Sequence, residues 1–265
     1  MAERRKTLVK KAHGIVLKKK FGQHFLRDQS VVDQMLTQVD LEKTSVLEIG
    51  PGDGFLTRSI LTKNISRLLC FEIDNEWVTY LRNNLKDDRL EIKDQNFLDI
   101  NFDSLKEHAP WLVLSNLPYQ VTFPILRLFQ QHRHLIREGV VMVQEEVAQK
   151  ILKTSGRGYG FISLFFQHYF QWKLLDKVLP ESFEPPPKVF SRLLYFKPKK
   201  DPDKIPDEEE FWRFVKICFH SPRRTVKNNL ISTHIAISTI PDEILSLRAQ
   251  QMKMKNLLNL WDLIR

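Results

Sequence analysis

Val46-Leu47-Glu48-Ile49-Gly50-Pro51-Gly52-Asp53-Gly54 is an apolar run that breaks into a glycine-rich turn, and Phe55, Leu56, Ser59 and Ile60 continue it at helical spacing. The stretch predicts a strand, a tight turn and a helix in immediate succession. Glycines in such a turn allow unusual backbone angles and let a ligand approach the main chain. No Gly-Lys-Ser/Thr follows, so the turn is not a P-loop, and the third glycine of a dinucleotide fingerprint would fall at Phe55. A second apolar strand, Leu68-Leu69-Cys70-Phe71, ends at Glu72, eighteen positions beyond Gly54. In a doubly wound sheet an acid at that place accepts hydrogen bonds from ribose hydroxyls. A solvated strand end is the plainer alternative for Glu72. A glycine turn without phosphate chemistry, joined to a ribose acid, points to S-adenosyl-L-methionine as the cofactor.

Outward from this stretch, Leu90 to Ile92, Trp111 to Leu114 and Val140 to Val143 read as further strands, with helical stretches between them. Alternating strand and helix implies parallel pairing with right-handed crossovers. The expected class is therefore α/β, a Rossmann-like sheet that binds ligands at the carboxyl ends of its strands. Glu48, Gly50, Glu72, Asn96 and Asn116 all fall at or just past such ends, on one rim. Phe170 to Leu179 and Val189 to Phe196 bracket Pro185-Pro186-Pro187 and are expected to pair antiparallel at the sheet's edge, with Phe183 in the connecting loop.

Asn116-Leu117-Pro118-Tyr119 directly follows the Trp111 run. An exocyclic amine such as adenine's is a poor nucleophile, because its lone pair is delocalised into the ring. The Asn116 side-chain oxygen and the Leu117 carbonyl can accept its two hydrogens and favour a pyramidal nitrogen. Tyr119 can stack on the ring, and Phe183 can supply the other slice of an aromatic sandwich. Against this stands an ordinary strand end, with Pro118 stopping the ladder and Tyr119 half buried.

Five segments in order resemble the ribosomal RNA adenine N6-dimethyltransferases of the KsgA type, from Lys20 to about Trp261. Phe21-Gly22-Gln23-His24-Phe25-Leu26 resembles the family's FGQNFL segment, and Glu48 to Gly54 its EIGPGxG loop. Asn116 to Tyr119 is its NLPY unchanged, and Phe183 to Val189 is similar to its FxPPPKV loop. Phe219 to Leu230 looks like the Arg-Arg segment of its C-terminal helical domain. The resemblance implies dimethylation of two adjacent adenines near the 3′ end of small-subunit rRNA, on the immature small ribosomal subunit. By the same resemblance Gln23, His24, Leu26, Glu48, Gly50, Gly52, Glu72, Asn96 and Asn116 hold the cofactor, while Asn116, Leu117, Tyr119 and Phe183 serve catalysis.

Two positions depart from the family pattern. His24 stands where the family usually has Asn beside the methionine end of the cofactor. Asn96 replaces an Asp that receives the cofactor adenine's amine; its amide oxygen still accepts, without charge assistance. Asp94 is the alternative if the strand is shifted, but Leu98, Ile100 and Phe102 keep the family's spacing and favour Asn96.

The net charge of +9 is unevenly spread over the 265 residues. Residues 1–20 carry eight Lys and Arg against one Glu, residues 211–265 carry nine against three acids, and the span between is slightly acidic. Basic ends around an acidic centre suit a polyanionic partner held outside the chemical site. The expected organisation is a basic tail over 1–20, a methyltransferase domain over 21–198, a Lys- and Pro-rich linker over 199–206 and a helical RNA-binding domain over 207–265. Asp207 is expected to cap a helix with Phe211, Phe214, Val215 and Cys218 on its apolar face, and one later helix to carry Leu245, Leu247, Met252, Leu257, Leu258 and Trp261. Arg223, Arg224 and Lys227 near a helix start are the phosphate-contact candidates.

No window approaches about 18 apolar residues, so no membrane span is expected. Glu3 and the lack of Ser in the first residues argue against a mitochondrial presequence. With Cys70 and Cys218 the only cysteines, a reducing, cytoplasmic setting with buried thiols is expected. His132 and His134 lack cysteine or carboxylate partners at ligand spacing, so no metal is expected. The expected state is a monomer. A large-subunit rRNA methyltransferase conferring antibiotic resistance shares these motifs, although Arg248-Ala249-Gln250 followed by Leu257 and Leu258 looks closer to the small-subunit branch. A transcription or assembly factor that keeps the fold with little catalysis is the other alternative, and the complete Asn116 to Tyr119 segment argues against it.

Overall fold

The computed structural model describes residues 11–231, 233 and 237–265. Half of the basic tail, residues 1–10, thus lies outside the described residues. The chain opens with a short hairpin of β1 (Lys11–Ala12) and β2 (Ile15–Val16), then β3 (Phe25–Leu26) and α1 (Gln29–Thr37), whose N-cap Asp28 accepts from the Ser30 N–H. The glycine-turn stretch forms β4 (Ser45–Ile49) and α2 (Phe55–Leu61), as its pattern predicts. Next come β5 (Arg67–Glu72), α3 (Asn75–Asn84), β6 (Leu90–Asp94), β7 (Trp111–Asn116), α4 (Thr122–Gln131) and β8 (Ile136–Gln144). They are followed by α5 (Glu145–Leu152), α6 (Phe161–Tyr169), β9 (Phe170–Val178), β10 (Phe183–Glu184) and β11 (Ser191–Pro198). The C-terminal helices are α7 (Glu208–Cys218), α8 (Val226–Leu230), α9 (Asp242–Ser246) and α10 (Met254–Ile264).

Seven strands share one sheet in the order β6-β5-β4-β7-β8-β11-β9. The first five are parallel to their neighbours, and β11 runs antiparallel to β8, pairing Ser191 with Gln144 and Phe196 with Gly139. Val46, Leu68, Leu112 and Val140 are fully buried. Their runs are continuously apolar because a parallel sheet is covered on both faces. From β4 the chain moves outward through β5 and β6, then crosses back to β7 on the other side of β4. This reversal is a topological switch point, which opens a crevice at the carboxyl ends of β4 and β7. Ile49 and Asn116, the last residues of those strands, stand at its rim.

The chain divides into two compact units whose boundaries differ from the expected ones. Residues up to 145 together with 173–198 form the first, and residues 146–172 with 199–265 form the second. The helical unit thus includes α5 and α6, not only the segment after the linker. Its physical reason is aromatic packing within that unit: Phe165 meets Trp212 of α7 edge-on at 5.0 Å, and the Trp212 Nε1–H donates to the Tyr169 hydroxyl at 2.6 Å. Phe211, Phe214, Val215 and Cys218 are buried on α7, as its periodicity predicts. Asp207, however, makes no side-chain cap, because its backbone is left-handed there. The single later helix is also corrected. The Thr225 to Arg248 bridge and the Val226 N–H bond to Leu247 O hold residues 247–248 extended, so α9 and α10 are separate helices.

Candidate active site

A cavity of about 240 Å³ lies in the first unit at the carboxyl ends of β4, β5, β6 and β7. Gln23, His24, Leu26, Glu48, Gly50, Gly52, Glu72, Asn96, Asn116, Leu117 and Tyr119 all line it. Every residue assigned from sequence to cofactor or catalysis is therefore brought together, with one exception. Phe183 does not line the cavity. It is 3% exposed and belongs to the apolar core with Val31, Val178 and Leu193, so it cannot be the second slice of an aromatic sandwich in this arrangement. The cause is strand pairing: Phe183 is not in an open loop but in β10, opposite Leu26 of β3.

The glycine turn is built for close approach. Gly52 has φ of +57°, and a Cβ there would fall 2.7 Å from the Phe25 ring. A Cβ on Gly50, also left-handed, would press on Pro118 at 3.3 Å. The turn is tied to the rim acid, because the Gly52 N–H donates to Glu72 Oε2 at 3.1 Å. Glu72 Oε1 accepts from the Ile73 and Asp74 N–H groups at 2.9 Å each. Burial pushes the Glu72 carboxyl up, and those three backbone donors pull it back. A carboxylate has about four acceptor positions. Three are taken, which leaves one for a ligand hydroxyl.

Glu48 lies deeper, 2% exposed, where it accepts from the Thr57 hydroxyl at 2.8 Å. Burial pushes its carboxyl up to about 8, so at neutral pH it mostly keeps its proton. Asn96 ends the turn after β6. Its Oδ1 accepts from the Leu98 N–H at 3.1 Å, and its Nδ2 donates to Asp99 at 2.8 Å. Asp94 is exposed and outside the cavity lining, so of the two residues only Asn96 lines the cavity.

At the end of β7, the Leu117 N–H bonds Met142 O, and the Asn116 Nδ2 donates to the His24 carbonyl at 3.4 Å. The Asn116 Oδ1 is buried and has no hydrogen-bond partner; among the described residues only Trp77 Nε1 shares that condition. A buried amide oxygen left unpaired costs about 1–3 kcal/mol, and at the cavity wall this one is free to accept from a donor that enters. Tyr119 donates to or accepts from the Ser191 hydroxyl, which fixes its ring. Burial holds its phenol above the ordinary value, so it is neutral.

Sequence reading missed the groups that brace these residues. Asp74, 1% exposed, receives the Gln23 amide at 2.9 Å and the Lys18 ammonium at 2.5 Å. Asp53, 2% exposed, is held by Arg27 at 2.6 Å and His13 at 3.2 Å. Only a local cue existed for Asp74, an acid placed to cap α3, where its side chain accepts from the Glu76 N–H. In the helical unit, Arg223, Arg224 and Lys227 are exposed on either side of Thr225, the N-cap of α8. His132 stacks on Phe102 at 3.7 Å, and no group of three metal-ligating side chains occurs among the described residues.

A parallel sheet whose first turn lacks phosphate chemistry, and whose far side closes with an antiparallel strand, is that of the Rossmann-like methyltransferases. Relatives narrow the class. The family described as "Ribosomal RNA adenine dimethylase" matches residues 15–256, and the chain belongs to it. It is 33% identical over 253 residues to the ribosomal RNA small subunit methyltransferase A of Chlorobium phaeobacteroides, covering 95% of this chain and 92% of that one. It is 35% identical over 217 residues to the protein of the same name from Mycoplasma mobile, covering 80% and 82%. Its fold matches the crystal structure of a dimethyladenosine transferase from Plasmodium falciparum with a TM-score of 0.75 at 20% identity, over 89% of this chain and 96% of that one. It matches the 23S rRNA methyltransferase ErmE with a TM-score of 0.67 at 21% identity, over 91% and 99%.

Proposed function

We propose that this chain transfers methyl groups from S-adenosyl-L-methionine to N6 of two adjacent adenines near the 3′ end of small-subunit rRNA, within the immature small ribosomal subunit. The observation that carries this reading is the buried, unpaired Asn116 Oδ1 at the switch-point crevice. An acceptor in that place suits a ligand that brings an N–H, and an exocyclic amine brings two.

The residues present fit the cofactor. Glu72 keeps one acceptor position for a ribose hydroxyl, Asn96 faces the same cavity from the end of β6, and the Gly50 to Gly52 turn leaves the main chain open to close approach. When bound, the cofactor supplies an electrophilic methyl on a sulfonium, an intrinsically good leaving group. The protein's task is then to align and desolvate the amine. Asn116 Oδ1 and the Leu117 carbonyl take the amine hydrogens, which turns the nitrogen lone pair out of conjugation. Tyr119, fixed through Ser191, offers a ring face to the base. As the new N–C bond forms, the amine releases one proton to water.

A loop adenine costs less to extrude than a paired one, which suits a single-stranded or hairpin target. Arg223, Arg224 and Lys227 supply phosphate contacts in the helical unit. The names carried by the relatives favour the small subunit as substrate. Labelled methyl transfer to purified small subunits, large subunits and DNA, followed by nucleoside analysis, tests the reading. Label in N6,N6-dimethyladenosine from small subunits alone is expected. Label confined to large subunits or DNA would overturn it.

A further inference from the structure

Asp53 is the residue of the glycine turn that the EIGPGxG pattern leaves open, and its carboxyl is buried. Both of its side-chain partners among the described residues come from the N-terminal segment: Arg27 Nη2 at 2.6 Å and His13 Nε2 at 3.2 Å. Arg27 is the stronger of the two. Its guanidinium always carries charge, and its side chain is 28% exposed against 44% for His13.

Arg27 itself stands outside the cavity lining, directly after Lys20 to Leu26, seven consecutive residues that all line it. Gln23, His24 and Leu26 reach a ligand only from this segment. At one end the segment is tied to Asp74, the N-cap of α3, through Lys18 and Gln23, and along its edge β3 pairs with β10. Neither of those ties reaches the glycine turn. The charged tie to the turn is Arg27 on Asp53.

The same guanidinium offers its Nε–H to Glu184 at 3.3 Å, but the Glu184 side chain is 71% exposed, and an ion pair so open to water contributes little. Removing the partner of a buried acid instead strands its charge, so the Asp53 contact decides where the segment rests. A segment released from the turn leaves the cavity without one wall for part of the time. Apparent affinity for a ligand then falls with the fraction of molecules in the closed arrangement.

We infer that Arg27, through Asp53, is a positioning residue for the cofactor site: it holds the wall formed by residues 20–26 down on the glycine turn. This rests on the reading of the cavity as the S-adenosyl-L-methionine site and adds to it a residue that does not line that cavity.

The test uses the full chain. Arg27→Met keeps the apolar stem and removes the charge, Arg27→Lys keeps a charge, Asp53→Asn removes the acid, and Glu184→Gln controls for the open contact. Titration calorimetry with S-adenosyl-L-methionine, hydrogen exchange over residues 14–26 without ligand, and thermal unfolding are read on each. Arg27→Met should bind the cofactor roughly 5- to 30-fold more weakly, the scale of one charge-assisted bond discounted for a part-exposed guanidinium. Exchange in the segment should rise with it. Arg27→Lys should recover most of both, and Glu184→Gln should stay within about twofold of the wild type. Because Arg27→Met and Asp53→Asn act through one contact, their combination should bind no more weakly than the weaker single variant. The combined variant strands no charge, so it carries the same test if Arg27→Met loses its fold. In methyl transfer to an rRNA hairpin with two adjacent loop adenines, the variants should raise KM for the cofactor and leave kcat near wild type. A lowered melting temperature with cofactor affinity and exchange unchanged would make the pair a structural tie and overturn the inference. So would additive losses in the combined variant. No cofactor binding by the wild type refutes the reading of the cavity and the inference together, whereas wild-type binding that Arg27→Met reproduces refutes the inference alone.

Discussion

Replacing Glu72 with Gln tests the cofactor side of the site with the least change in shape. In the native arrangement Oε1 satisfies the Ile73 and Asp74 N–H groups, and Oε2 satisfies the Gly52 N–H. An amide keeps the first two bonds through its oxygen. Its NH2 then faces the Gly52 N–H, donor against donor, and no longer accepts a ribose hydroxyl. One hydrogen bond to a charged acceptor is worth about 1.5–3 kcal/mol, so cofactor affinity should fall roughly 10- to 150-fold. Because only one acceptor position is open on Glu72, the loss should not reach twice that energy. The unpaired Gly52 N–H should also lower the melting temperature by several degrees, on the scale of about 1–2 kcal/mol for one unsatisfied donor. Titration calorimetry with S-adenosyl-L-methionine and thermal unfolding read the two effects separately. Unchanged cofactor affinity in a folded variant would refute the ribose assignment.

Gly52→Ala should destabilise the fold by about 2–4 kcal/mol and weaken the cofactor site, since it combines a left-handed backbone with a Cβ 2.7 Å from Phe25; an unchanged denaturant midpoint would contradict this. Glu48 has its folded pKa raised from 4.5 to about 8, so its contribution is favourable below about pH 4.5 and is lost as pH rises through 8. Glu48→Gln should therefore match the wild type near pH 4.5 and gain stability relative to it, by a few kcal/mol, towards pH 9; parallel urea midpoints across that range would refute the buried-acid reading. Changing Arg223 and Arg224 to Ala should flatten the slope of log RNA affinity against log salt by up to about 0.7–0.9 per lost contact, with cofactor binding unmoved. An unaltered slope would leave the pair as solvated surface.

Much of this was legible in the sequence, because the central strands are continuous apolar runs whose ends are marked by the residues that matter. Glu72 and Asn116 could be placed on one rim from strand ends alone, and both close their strands in the structure. What failed depended on partners far away in sequence. Phe183 follows a proline-rich pattern that reads as loop, and only its pairing with Leu26, 157 positions earlier, turns it inward. The unit boundary was misplaced for the same reason. Phe165 and Tyr169 look like the interior of the first unit until Trp212 is seen to pack on them.

Energetic detail was the least legible. Spacing gives Glu72 its place but not the three backbone donors that occupy it. Spacing favoured Asn96 over Asp94 but did not show that only Asn96 would line the cavity. Asp74 and Asp53 were missed because their partners, Gln23, Lys18, Arg27 and His13, lie in the N-terminal segment, 26 to 56 positions away. Nothing local marks an acid as buried when its counter-charge arrives from another element.

The central claim is that the unpaired Asn116 Oδ1 receives the adenine amine, and single-turnover methyl transfer by Asn116→Ala tests it most directly. Losing a preorganised acceptor at the reacting nitrogen should slow transfer to the rRNA hairpin by roughly 10²- to 10³-fold, with S-adenosyl-L-methionine affinity nearly unchanged by calorimetry. Near-normal transfer by a folded Asn116→Ala variant would contradict the account.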